Sequence, residues 1–432
     1  MKSRCHRLSC LVLLLVGFVT PYSLSAQQQD EGETTATDQR TEESVDVDDA
    51  AVEEEGTARA EAAALDEDPE AQRRARIEEE PELRLTWPTF EFYASVRLHA
   101  INAFDAFDEE SDLSLGDGAS RAGVRGEWKI ARNWWLFGRA EAGFDVLDTF
   151  TAKGGIEDEN KGLKNRLLFG GFDSENLTAT FGKNWSAYYK IAGMTDRFSI
   201  FGGNAAGVYN ATTDGGATGT GRADDVLQAR IYTSALTRLN IKPFNLNLQY
   251  QFGQPIPQVS GRKYEDSYGG SAWLETQNDR GLGVAYHRSI IGDPEDPVIR
   301  EAGIDGDAQA LALSFRSFGE KWYAALVVAW LDNIETTDKL KYINARGVEL
   351  YAQRHLRDKW WLIAGGNWLK PDEDDPQSGE YEILYGVIGL RYTFDSFNRM
   401  VYAEWRIDRG SLFDGTDSEN EFTVGVRWDF GY

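Results

Sequence analysis

Seven arginines, Arg97, Arg121, Arg125, Arg139, Arg166, Arg222 and Arg230, fall on the polar side of segments whose apolar residues recur at every second position. A guanidinium stays charged at any physiological pH and donates in a fixed fork, so several on one wet wall would form a basic ladder toward anions. Arg121, Arg139, Arg166 and Arg222 sit on segments that would be neighbours in such a wall. The same groups could instead neutralise Glu127, Glu141 and Asp224 and hold the wall together, and the two roles are compatible. From Ala187 to Thr220 runs a Gly-rich stretch of some 34 residues that contains Asp196 and Asp214. A connection that long without a periodic pattern is usually functional or disordered. Folded inward, it would narrow a lumen and turn its acids toward the arginines.

Other chemistries find little support. Cys5 and Cys10 are the two cysteines, so residues 11–432 offer no thiolate for a metal, a disulfide or a nucleophile. His99, His287 and His355 lack convincing partners, and no HExxH or GxSxG motif occurs. Gly216, Gly219 and Gly221 lie between two strands with no helix following, which is the wrong setting for a phosphate loop. Neither an enzyme nor a cofactor is expected.

The elements that must position the arginines follow from composition. The chain has 432 residues with 45 Lys+Arg against 71 Asp+Glu, a formal charge of −26 that argues against nucleic acid as partner. Mean hydropathy is −0.47, and no apolar run approaches the roughly 20 residues of a membrane-spanning helix. Residues 1–26 read as a secretory leader: Lys2, Arg4 and Arg7, then an apolar core from Leu8 to Val19, Pro21, and a cut after Ala26. Cys10 precedes the apolar core, which is the wrong place for a lipidated cysteine. Residues 27–86 are acidic, with 21 Asp/Glu against 5 Arg over 27–82 and no aromatic, a composition of disorder. One short helix is signalled there by Asp68, Pro69 and Glu70 at its start and Pro81 at its end. This extension would be a periplasmic spacer or a docking point for a periplasmic partner.

Residues 87–432 hold 51 of the 53 aromatics and 40 of the 43 glycines. Their period is two. Phe422, Val424, Val426, Trp428 and Phe430 alternate with Thr423, Gly425, Arg427 and Asp429 up to the terminal Tyr432. Sixteen such runs start near residues 90, 119, 134, 163, 175, 221, 243, 268, 281, 307, 321, 341, 359, 381, 398 and 420. Tight turns alternate with long polar loops such as Ala103–Gly118, Phe150–Gly162, Asp293–Gly306 and Pro371–Glu380; the connection Leu236–Lys242 is the one longish short turn. That alternation is expected of an all-β, sixteen-stranded antiparallel transmembrane barrel, closed because no sheet edge survives in hydrocarbon. An even strand count puts both termini on the short-turn side. Aromatics crowd that rim, among them Trp134, Trp135, Phe172, Phe318, Trp322, Trp360, Trp361, Phe394 and Phe397, as an interfacial girdle would. Small outward residues Gly126, Gly138, Ala140 and Ala142 permit close subunit contact.

Here the sequence resembles the general Gram-negative porins. The resemblance runs through Ser120-Arg121-Ala122-Gly123-Val124-Arg125-Gly126-Glu127, Asn165-Arg166-Leu167-Leu168-Phe169-Gly170-Gly171, Phe181-Gly182-Lys183-Asn184-Trp185, Thr195-Asp196, Phe201-Gly202-Gly203 and Gly221-Arg222-Ala223. It implies a homotrimeric barrel whose third extracellular loop bends into the pore. It also implies a constriction in which Arg121, Arg166 and Arg222 face Asp196, and an assembly signal at Tyr432 with Phe430 and Trp428 before it. The chain departs from the family in having Ser199-Ile200 where a Pro-Glu pair is usual, and Ser95, with Arg97 close by, where a lysine is common. Together these readings predict an outer-membrane channel for passive diffusion of small hydrophilic solutes, with a weak cation preference. Its environment would be outer-membrane lipid, reached through the outer-membrane assembly machinery. Alternatives are a substrate-specific uptake channel and a barrel that anchors the acidic extension to a partner.

Overall fold

The computed structural model describes residues 87–104, 112–147, 163–233, 241–373, 375–394 and 398–431. The leader and extension expected at 1–86, the turn residue Phe397 and the terminal Tyr432 lie outside the described residues. Among the described residues seventeen strands form one sheet: β1 (Thr89–Phe104), β2 (Asp112–Asp117), β3 (Arg121–Ala131), β4 (Trp134–Gly143), β5 (Lys164–Ser174), β6 (Leu177–Trp185), β7 (Arg222–Thr233), β8 (Phe244–Gln251) and β9 (Ser267–Glu275) come first. The second half is β10 (Arg280–Ser289), β11 (Ala308–Gly319), β12 (Trp322–Thr336), β13 (Tyr342–Arg357), β14 (Trp360–Pro371), β15 (Ile383–Thr393), β16 (Arg399–Asp408) and β17 (Asn420–Phe430).

Apart from β2 and β3, which both pair with β1, each described strand pairs antiparallel with its sequence neighbours, and β17 returns to pair with β1 from Ala94↔Phe430 to Phe104↔Asn420. The sheet closes. The seventeen segments fill sixteen positions, because β2 and β3 share one edge of β1: β2 pairs with Leu98–Ala103 and β3 with Thr89–Ser95. The stretch Ala103–Gly118, read from sequence as loop, thus contains a strand. Between β2 and β3 the backbone kinks at Ala119, whose φ is 67°, and Gly118 N donates to Arg97 O at 2.8 Å. Leu113 and Leu115 alternate there with Ser114 and Gly116, but six residues are too few for the pattern to stand out.

The outer face is apolar and open. On β17, Phe422, Val424, Val426, Trp428 and Phe430 are each 40–50% exposed, while Thr423 and Asp429 between them are buried. A soluble sandwich would hide those side chains in its core; here they need lipid. The aromatic girdle is real but thinner than the sequence suggested. Trp134, Phe172, Trp360, Phe394 and Trp428 point outward at the short-turn rim, whereas Trp135 and Trp361 are buried inward. Consecutive strand residues face opposite ways, so a Trp doublet can give only one member to the girdle.

Buried apolar packing lies inside the barrel. The connection from β6 to β7 folds into the lumen, with a short helix α1 (Tyr189–Ala192) and a 3-10 turn (Gly193–Thr195). Tyr188, Ile191, Ala205, Ala206 and Val208 of this loop pack on Ala310, Ala312, Val327, Ala329 and Leu331 of the wall. The wall uses alanine there, so the loop backbone can lie close to the strands.

Candidate functional site

The inward loop is closed at its neck and pinned at its tip. Ser186 N donates to Gly221 O at 2.9 Å, Ser186 Oγ to Thr220 O at 2.7 Å, and Ala187 N to Gln249 Oε1 at 2.8 Å. At the tip two wall carboxylates accept loop backbone amides. Glu349 of β13 takes Ala205 N at 2.7 Å, Ala206 N at 2.9 Å and the Thr195 hydroxyl at 2.5 Å. Glu404 of β16 takes Ser199 N at 2.6 Å and Ile200 N at 3.2 Å. Arg391 of β15, fully buried, donates to Glu404 at 3.3 Å, to Arg197 O at 2.5 Å and to the Tyr351 hydroxyl at 3.1 Å. The Arg197 guanidinium lies 4.1 Å from the Tyr323 ring centroid. Gly347 makes the fit possible: a Cβ there would stand 1.6 Å from Ala205 O.

The loop thus rests against β11–β16, across the barrel from the strands that carry Arg121, Arg139 and Arg166. Arg139 and Arg166 both reach Glu141, at 2.7 and 2.9 Å, and Arg139 Nε also donates to the Tyr93 hydroxyl at 2.6 Å. Gly123 leaves room for that hydroxyl, since its Cβ would come within 2.3 Å of it. Arg121 pairs in register with Gly143, the glycine over which the Arg166 stem passes, so the two arginines are neighbours on the wall. Arg97 Nε donates to Ser95 Oγ at 2.8 Å, and Ser95 in turn to Asp429 at 2.5 Å. Arg222 and Lys183 share Asp214, each at 3.1 Å, and Lys183 also meets Asp224 at 2.7 Å. Arg139 and Arg166 thus neutralise Glu141, while Asp224 is met by Lys183.

Asp196 departs from expectation. It faces its own loop and accepts the hydroxyls of Tyr189 at 3.0 Å and Tyr209 at 2.8 Å, and among the described residues it has no ion pair to the arginine wall. Burial raises its pKa above the ordinary aspartate value, against the pull of the two hydroxyls, Arg222 and Arg197. The physical reason is the loop's own aromatics: Tyr189 stacks on Trp185 at 3.9 Å, and the closed neck keeps Tyr209 beside it. Asp214 does meet an arginine. Burial would raise its pKa, but Arg222 and Lys183 outweigh that and hold it low. Phe430 and Trp428 face outward on the closing strand.

No protein-family model matches the chain. It is 23% identical to the outer membrane porin PhoE of Enterobacter cloacae over 316 residues, 72% of this chain and 84% of that protein. Among solved structures it superposes on Salmonella typhi OmpF, determined in complex with daunomycin, with a TM-score of 0.63 at 19% identity, covering 79% of this chain and 97% of that one. The anion-selective porin from Comamonas acidovorans gives a TM-score of 0.57 at 14% identity, covering 80% of this chain and all of that one (100%). The fold is that of the porins.

Within this porin barrel the residues that sequence reasoning missed are those that hold the loop: Gly347, Glu349, Arg391 and Glu404. Their signal was present but faint. Gly347, Glu349, Tyr351 and Gln353 alternate on the inward face of β13 and Arg391 lies on that of β15, where a charged side chain needs an inward partner. Ser199 and Ile200, which replace the usual Pro-Glu, present backbone amides to Glu404, so a wall carboxylate stands where the loop lacks its own.

Proposed function

We propose that this protein is an outer-membrane porin of a Gram-negative bacterium, a water-filled channel for passive diffusion of small hydrophilic solutes and ions, without catalysis or cofactor. The observation that carries this reading is the inward loop: held on β11–β16 by Glu349, Glu404 and Arg391, it narrows a closed barrel whose opposite wall is lined by arginines. Arg97, Arg121, Arg139, Arg166 and Arg222, with Asp214, are the proposed constriction residues. Asp196 shapes the loop instead of facing the pore.

Selectivity is proposed to be weak and cation-leaning. The long-loop rim carries Asp293, Glu295, Asp305, Asp372, Asp375 and Glu380 and concentrates cations at that mouth, while the arginines oppose them at the constriction. Reversal potentials in a salt gradient should show a small cation preference, and a clear anion preference would overturn this part.

A homotrimer is supported by the outer wall. Gly126, Gly138 and Gly170 lie side by side in register across β3, β4 and β5, bracketed by the exposed Phe90 and Phe181. A floor without side chains lets a second barrel approach closely within lipid. The proposed precursor loses residues 1–26, is inserted by the outer-membrane assembly machinery and leaves 27–86 in the periplasm for a partner there. Liposome swelling with sugars of graded size tests the channel: the rate should fall steeply with size, and vesicles that never swell would refute it.

A further inference from the structure

The short-turn rim is basic in one sector. Lys321 on the turn between β11 and β12, and Arg357 and Lys359 around the turn between β13 and β14, are exposed, as is Arg354 on β13. Among the described residues of these two turns the acids are Glu320 and Asp358, in a chain whose charge is −26. Other described short turns are closer to balance: the β3–β4 turn carries Arg132 and the β5–β6 turn Glu175, and Lys242 is held by Glu275 and Asp279. Arg354 lies in register with Trp322 on one side and Leu362 on the other, on the lipid-facing side of the wall. Among the described residues neither Arg354 nor Lys321 has an ion-pair partner. Arg357 meets Asp358 at 3.3 Å with both side chains largely in solvent, a contact of little strength. Lys359 Nζ donates to Phe394 O, which fixes that ammonium at the rim. Beside it runs a ribbon of aromatics, Trp360 to Tyr392 at 5.1 Å and Tyr392 to Phe394 at 5.3 Å.

We infer that this sector binds the phosphodiester headgroup of an anionic glycerophospholipid in the leaflet next to the short turns. Aromatics at the interface hold the acyl-to-headgroup boundary, and the arginine and lysine stems lie along apolar surface with their charges at phosphate level. A guanidinium takes two phosphate oxygens at once, which Arg354 is free to do. A soluble acidic partner, the chain's own extension included, could reach Lys321, Arg357 and Lys359. It would not reach Arg354 between Trp322 and Leu362 without entering the membrane, and that favours lipid. Arg354 faces away from the pore, and the inference rests on the transmembrane orientation proposed above.

The test is native mass spectrometry of the full chain in mild detergent, titrated with phosphatidylglycerol or phosphatidylcholine of the same acyl chains. Wild type should retain the anionic lipid by roughly tenfold over the zwitterionic one, and the double variant Arg354→Gln, Lys359→Gln by about twofold or less. Arg132→Gln, on a balanced turn, should behave as wild type. Equal binding of the two lipids by wild type, or an undiminished preference in the double variant, overturns the inference. So does a preference that emerges only after residues 27–86 are removed, which would give the cations to the extension. Single-channel conductance of each preparation reports the pore separately: its loss throughout would sink the porin reading and leave the lipid result legible.

Discussion

Glu349 joins three loop donors to one wall strand, and its neighbour two positions back, Gly347, admits the loop backbone. Truncating the carboxylate in Glu349→Ala strands Ala205 N, Ala206 N and the Thr195 hydroxyl, at a local cost of about 2–4 kcal/mol. Single-channel recordings should then show a noisier and larger current than wild type. Gly347→Ala acts in the opposite sense. Its Cβ must displace Ala205 O, at a cost of about 1–3 kcal/mol, and the loop moves toward the arginines, so the conductance should fall. Asp214 adds a pH dependence. Its folded pKa is depressed, so the stability that it gives the loop neck is complete above the ordinary aspartate value of 3.8 and is lost as pH falls through the lower folded value. Asp196 has a raised pKa, which works the other way: acid protonates it at no cost to the fold. Acidification to about pH 3 should therefore loosen the neck at Arg222 and Lys183 before it disturbs the tyrosine-bound turn, as hydrogen exchange at the two places would report.

At the scale of elements, strands were readable because alternation is a property of the extended backbone, and each run declares its own two faces. Phe422 to Phe430 needed no partner to be understood. The β2 segment was missed because six residues resemble a polar loop as much as a strand. The loop's docking was invisible for a different reason: its contacts are remote in sequence. Thr195 meets Glu349 across 154 positions and Ser199 meets Glu404 across 205, and nothing local couples them. Neutralisation of Glu141 by wall arginines was legible, yet the hold of Arg222 on Asp214, and the withdrawal of Asp196, needed the packed loop. The glycine row across β3, β4 and β5 makes a prediction at this scale. Gly138→Leu puts a side chain onto the floor between Phe90 and Phe181 and should lower the heat-resistant oligomer on a detergent gel, while a folded monomer band persists.

For the whole molecule, charge is distributed by direction: acids dominate the long-loop rim, arginines line one inner wall, and cations collect in one sector of the short-turn rim. Removing residues 27–82 takes away 21 acids and 5 arginines without touching any described strand. Conductance and ion preference in planar bilayers should be unchanged by that deletion, and a changed current would assign the extension a place in the pore. Sheet closure has a further consequence. The seam joins Ser95 to Asp429, residues 334 positions apart, so no earlier stage of the chain has a complete wall. A polypeptide lacking only its final strand would carry two raw edges, on β1 and on β16. Biogenesis must therefore keep the chain competent in transit until β17 has been made, and stop codons ahead of β17 should produce material for proteolysis instead of narrower cylinders.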